Sequence, residues 1–103
     1  MADQDKPVTC TLGLGDFKTR IAWIREVNKR ALRNHVRDGL ALRLTYAIGA
    51  ADEVRELVRR ETACCGFLRF DVREEPDAVH LTITAPEGAR VAAETMFAQF
   101  ASR

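Results

Sequence analysis

Long apolar runs are missing from this chain, and so is any large excess of charge, cysteine or turn residues. No stretch approaches the roughly 18 apolar residues a bilayer span needs, so a transmembrane helix is not expected. Charged residues make up 30% of the chain, yet the net charge is only +1, which excludes a histone-like polyelectrolyte partner. Three cysteines do not make a disulfide scaffold. They point instead to a reducing, cytoplasmic compartment. The polar, charged stretch Met1–Pro7 lacks the apolar core of a secretory signal and reads as a flexible tail. Gly13-Leu14-Gly15 lacks the third glycine of a phosphate-binding loop, and no H-E-x-x-H or Ser-His-Asp set is evident. No internal repeat or low-complexity tract is visible.

What is present fits one globular domain: 103 residues, 47% of them hydrophobic. Val8, Cys10, Leu12 and Leu14 alternate with polar or small residues, the signal of a half-buried strand. Asp16 is the expected N-cap of a helix that Gly39 ends. On that helix Phe17, Ile21, Ile24, Ala31 and Leu32 share a face with Asn28 and His35, whereas Trp23 and Val27 fall off it. Leu40, Leu42, Leu44, Tyr46 and Ile48 form the cleanest alternating strand. A second helix starts at Asp52 and lays Val54, Leu57, Val58, Glu61 and then Cys64-Cys65 along one side, with Gly66 as its terminator. Phe67–Arg73 and Val79–Ile83 alternate around a Glu74–Asp77 turn and predict a hairpin. A last helix follows Pro86, with Ala93, Met96, Phe97 and Phe100 as its stripe. The expected order is βαβαββα. It implies an α+β two-layer sandwich, a four-stranded antiparallel or mixed sheet with helices on one face, related to ferredoxin-like folds. The single domain spans 8–103.

The chemically unusual feature is Cys64-Cys65. Adjacent Cα atoms lie about 3.8 Å apart, short of the about 4.4–6.8 Å that ordinary disulfides want. The pair also lacks the C-x₂₋₄-C spacing of structural zinc. Soft thiophilic ions, such as mercury or trivalent arsenic, accept three thiolates without a fourth ligand. If the first strand runs beside the end of the second helix, Cys10 joins the pair. Glu61, one helical turn earlier, is a carboxylate on an apolar face and needs a partner. It suits a ligand, a proton acceptor or an arginine's counter-ion. A helix C-terminus disfavours thiolate, and Arg59 and Arg60 are the cations at hand to offset that. The candidate metal or metalloid ligands are therefore Cys10, Cys64 and Cys65, with Glu61 as accessory group. Two other readings remain: a thiol enzyme or redox sensor using Cys64 or Cys65 with Glu61 as base, and an interaction protein whose cysteines merely pack.

The segment Glu61-Thr-Ala-Cys64-Cys65-Gly66-Phe67-Leu68-Arg69-Phe70 resembles the E-x-x-C-C-P-F-L-x-F signature of a small bacterial family with no assigned activity, some of whose members are encoded among heavy-metal resistance genes. Cys10-Thr11-Leu12, Gly39–Leu44 and Leu81–Gly88 continue the resemblance over residues 10 to 97. Gly66 stands where the pattern has proline. The resemblance implies a thiol site and no particular reaction.

Two surface features complete the reading. Residues 16–38 hold seven basic side chains against three acidic ones, and Lys18, Arg25, Lys29 and Arg33 form a stripe. Such a stripe could meet phosphates, but no aromatic residues interleave it, so a solvated helix face is the better reading and a nucleic-acid partner is not expected. Trp23, off the core face, suggests either a homodimer surface or packing under the N-terminal tail. His80 falls on the polar side of its strand, where solvent accounts for it.

Overall fold

The structure, a computed structural model, describes residues 14–64 and 66–103, with side chains from residue 18 to 63 and from 66 onward. The elements are α1 (Leu14–Ala31), β1 (Leu32–Asp38), β2 (Ala41–Ala47), α2 (Ala51–Cys64), β3 (Arg69–Glu75), β4 (Ala78–Thr84) and α3 (Arg90–Phe100). A short 3-10 turn precedes each of the last two helices, at Ile48–Ala50 and Glu87–Ala89. The strands form one antiparallel sheet in the order β1-β2-β4-β3. The α+β class and the four-stranded sheet are as expected from sequence.

The order of elements is not. Among the described residues it is αββαββα, because residues 32–38 are a strand and not the end of the first helix. Asn34, His35 and Val36 are weak helix formers, and Gly39 is a hairpin residue here. It takes φ +60° as the first of two central residues between the paired Asp38 and Ala41, the position at which a type II′ turn requires glycine. The expected first strand lies outside the described residues except for Leu14, which opens α1. The described strands are two hairpins joined by one helical crossover, in which β4 lies between β2 and β3.

The second hairpin turns differently. Pro76 and Asp77 lie between the paired Glu75 and Ala78, with proline presetting φ at the first central position. Strand alternation holds where it was clearest: Leu42, Leu44 and Tyr46 on β2, and Val79, Leu81 and Ile83 on β4, are buried against the helices. Ala93, Met96, Phe97 and Phe100 are buried on α3 as predicted.

Within the helix layer, α1 touches both other helices. Arg30 pairs with Glu53, and the Arg60 guanidinium lies 4.5 Å from the Trp23 ring centroid, so α1 and α2 run antiparallel. Asn28 donates its amide hydrogens to the carbonyls of Phe100 and Ser102 at 2.8 and 2.6 Å, which satisfies the end of α3. A helix with neighbours on both sides and a sheet beneath needs a broad apolar stripe. That is why Val27 is fully buried and Trp23 packs partly buried against the core, contrary to their predicted place off the core face. Trp23 is therefore not an exposed patch.

A repeat runs through the architecture although the sequence hides it. Ala41–Ala47 corresponds to Ala78–Thr84, Ile48–Ala50 to Glu87–Ala89, and α2 to α3. Leu44 and Leu81 face each other at the centre, where the two inner strands pair. Counted from the end of each 3-10 turn, Val54 matches Ala93, Leu57 matches Met96, and Glu61 matches Phe100, all of them buried.

Candidate functional site

The last turn of α2 carries a carboxylate in the protein interior. The Glu61 side chain is 2% exposed and that of Arg20, reaching from α1, is 7% exposed. Arg20 Nε and Nη2 donate to Glu61 Oε2 and Oε1, both at 2.6 Å. This bidentate fork suits a desolvated pair, because two charge-assisted bonds share one geometry. The same guanidinium lies 5.6 Å from the Phe100 ring centroid. Arg20 thus meets both members of the repeat pair, the ion on α2 and the ring on α3. Of the three roles open to Glu61, the counter-ion role is the one filled.

Arg20 carries no motif of its own in the sequence. Its spacing from Ile24, Val27 and Ala31 sets it on the buried stripe of α1, and a solitary Glu61 on the apolar side of α2 called for a cation. Those two signals together could have paired them.

Cys64 is the last residue of α2. Cys10 and Cys65 lie outside the described residues, and so does the Cys64 side chain, so the proposed sulfur cluster falls there too. Among the described residues no group of three His, Cys, Asp or Glu could hold a metal ion. Arg59 and Arg60, the cations expected to offset the helix dipole at the cysteine pair, turn back to Glu56 at 2.5 and 2.7 Å. With two guanidinium donors, the Glu56 carboxyl is lowered to about 2.

The second buried polar centre is Asn28 with Tyr46. The Tyr46 hydroxyl donates to Asn28 Oδ1 at 2.9 Å, and burial pushes the phenol well above its ordinary value. Every polar atom of this set bonds to the fold itself, which makes the centre structural. Of the predicted basic stripe, Lys18, Arg25 and Lys29 are exposed on α1, whereas Arg33 belongs to β1 and breaks the row. His35, expected on the helix core face, is exposed on the edge strand. His80 is not simply solvated: its Nδ1 lies 3.3 Å from Thr45 Oγ1 and its Nε2 3.1 Å from Glu75 Oε1.

No helix among the described residues is long and apolar enough to cross a membrane. Comparison with family models, with curated proteins and with solved structures gives no match to this chain.

Proposed function

We propose that the protein binds one thiophilic metal or metalloid ion through Cys10, Cys64 and Cys65, and sequesters it or hands it on without covalent turnover. The observation that carries this reading is the Arg20–Glu61 pair, which ties the N-terminal half of α1 to the last turn of α2. Cys10 precedes Leu14 by four residues, a chain reach of about 14 Å. Leu14 in turn precedes Arg20 by about 9 Å of helix. The chain length therefore allows the segment carrying Cys10 to meet the cysteine pair. Glu61 is the accessory group: its ion pair with Arg20 anchors the last turn of α2. The resemblance of residues 61–70 to the double-cysteine signature supports the same reading.

Binding is favoured over thiol catalysis by the arginines. A nucleophilic cysteine needs a lowered pKa and a nearby cation, but Arg59 and Arg60 are engaged by Glu56. Ion binding has to drive thiol deprotonation itself, so affinity rises with pH. Titration of the reduced protein with mercuric ion or arsenite, followed by thiolate absorbance, should saturate at one ion per chain. Cys64→Ser and Cys65→Ser should each abolish it. Saturation that survives either substitution, or one cysteine that alkylates fast at neutral pH without metal, would overturn the reading.

A further inference from the structure

The sheet face turned away from the helices carries a second polar site. On this face the two inner strands present alanines and threonines around two cation-capable groups, Arg43 on β2 and His80 on β4, and no acid. The carboxylates of the face, Asp38, Asp71 and Glu75, all stand on the outer strands β1 and β3. Arg73 on β3 lies directly across from His80. A basic group opposite another is unfavourable on a sheet surface, where opposite charges normally pair. Glu75 relieves part of that cost by accepting from His80 Nε2 at 3.1 Å, and Arg73 reaches Glu75 at 3.3 Å. Arg43 reaches Asp38 only at 3.8 Å.

These groups surround a cleft of about 370 Å³ whose lining includes Arg43, Thr45, Arg73, His80 and Thr82 and one carboxylate, Asp71. Glu75 Oε1 lies 3.1 Å from His80 Nε2 and Thr45 Oγ1 lies 3.3 Å from Nδ1, so both ring nitrogens have partners. The floor of the cleft is thereby held in one arrangement. Above it, the Arg43 and Arg73 side chains, 58% and 72% exposed, have guanidinium donors to spare. The Thr82 hydroxyl and the Asn34 amide add neutral donors.

We propose that this cleft binds a small oxyanion, a phosphoryl or carboxylate group, between Arg43 and Arg73. Two guanidinium forks, on β2 and β3 with β4 between them, match the planar or tetrahedral oxygens of such a group. The two arginines outnumber the single lining carboxylate, Asp71, while Asp38 and Glu75 stand on the outer strands. The site is on the opposite side of the sheet from α2, so it is independent of the thiol reading.

Calorimetric titration of the full chain at low salt, with inorganic phosphate in one arm and succinate in the other, tests the proposal. The His80 ring protons serve as a local reporter by NMR. Saturable binding of one ligand per chain, with Kd of about 1 mM or tighter in either arm, supports it. The arm that binds more tightly identifies the phosphoryl or the carboxylate class. Arg43→Ala and Arg73→Ala should each weaken binding about tenfold or more, the loss expected for a charged hydrogen-bond partner. Both side chains are solvent-exposed, so circular dichroism should show the variants folded. Cys64→Ser and Cys65→Ser should bind the anion unchanged. Absence of saturation in both arms, or binding that neither arginine substitution weakens, would overturn the proposal.

Discussion

The two hairpin-plus-helix halves of this protein share a backbone plan but secure their helices differently. In the first half, α2 ends in a buried ion pair with α1. In the second, α3 places Phe100 at the corresponding position and has its terminal carbonyls bound by Asn28. The lesson is that equivalent positions in a repeat need equal burial but not equal chemistry. A ring fills its site by area alone, whereas a carboxylate does so only with a cation desolvated beside it. The extra demand falls on the half that carries the cysteine pair.

The sharpest way to break this contrast is to remove one member of the ion pair. Glu61→Gln or Arg20→Met should each cost about 3–5 kcal/mol of stability, because one buried charge is left without its counter-ion. Urea unfolding measures the loss. The double variant Arg20→Leu with Glu61→Leu should recover most of it, since apolar replacement of a buried pair is often close to neutral. Recovery of stability without recovery of metal binding would separate the anchoring role of the pair from its packing role. A single substitution costing under about 1 kcal/mol would mean that the pair behaves like an exposed one.

The second half answers to its own polar group. Asn28→Ala leaves the α3 carbonyls and the Tyr46 hydroxyl unsatisfied and should cost about 2–3 kcal/mol. Tyr46→Phe removes only one bond, between the hydroxyl and Asn28 Oδ1, and should cost about 1 kcal/mol. If the two substitutions cost the same, Asn28 does not secure α3. The turns give a smaller contrast. Gly39→Ala forces a side chain into the left-handed region and should cost about 1 kcal/mol. Pro76→Ala acts through the unfolded chain and should cost about 0.4–1 kcal/mol.

How much of this was legible in the sequence depended on whether a local signal agreed with its long-range partner. The inner strands were readable because Leu42, Leu44 and Tyr46, like Val79, Leu81 and Ile83, alternate over a face that is truly half-buried. β1 was not, because an edge strand has little to bury. Of its seven residues only Leu32 is buried, so no period of two is written into it. Its pairing is set by Gly39 and by β2. The helix reading of 32–38 followed from extending the stripe of α1 through Leu32 and His35. The Arg20–Glu61 pair is half legible: a carboxylate on an apolar helix face marks itself, but its cation lies forty-one residues away on another helix. The repeat was hidden because it conserves burial and not residue type.

Acid offers the mildest test, through two exposed carboxylates that differ in what they join. Glu94 on α3 accepts from Arg37 on β1, whereas Glu56 accepts from Arg59 and Arg60 within α2. Both carboxyls lie below their ordinary value of 4.5, held there first by the guanidinium hydrogen bonds. A depressed folded pKa means that the folded state binds protons less readily than the unfolded chain. Each pair therefore contributes stability in full above the unfolded pKa, and that contribution fades as pH falls through the folded one. For Glu56 the fading extends down to about 2. Because only Glu94 spans two elements, Glu94→Gln should flatten the acid limb of the global unfolding curve below the ordinary carboxylate range. Glu56→Gln should instead change mainly the local helicity of α2. Hydrogen exchange of α2 amides against global denaturant unfolding at acid pH distinguishes the two. An equal effect of both substitutions on global stability would show that the Arg37–Glu94 tie between α3 and the edge strand is no stronger a link in the fold than a pair along one helix.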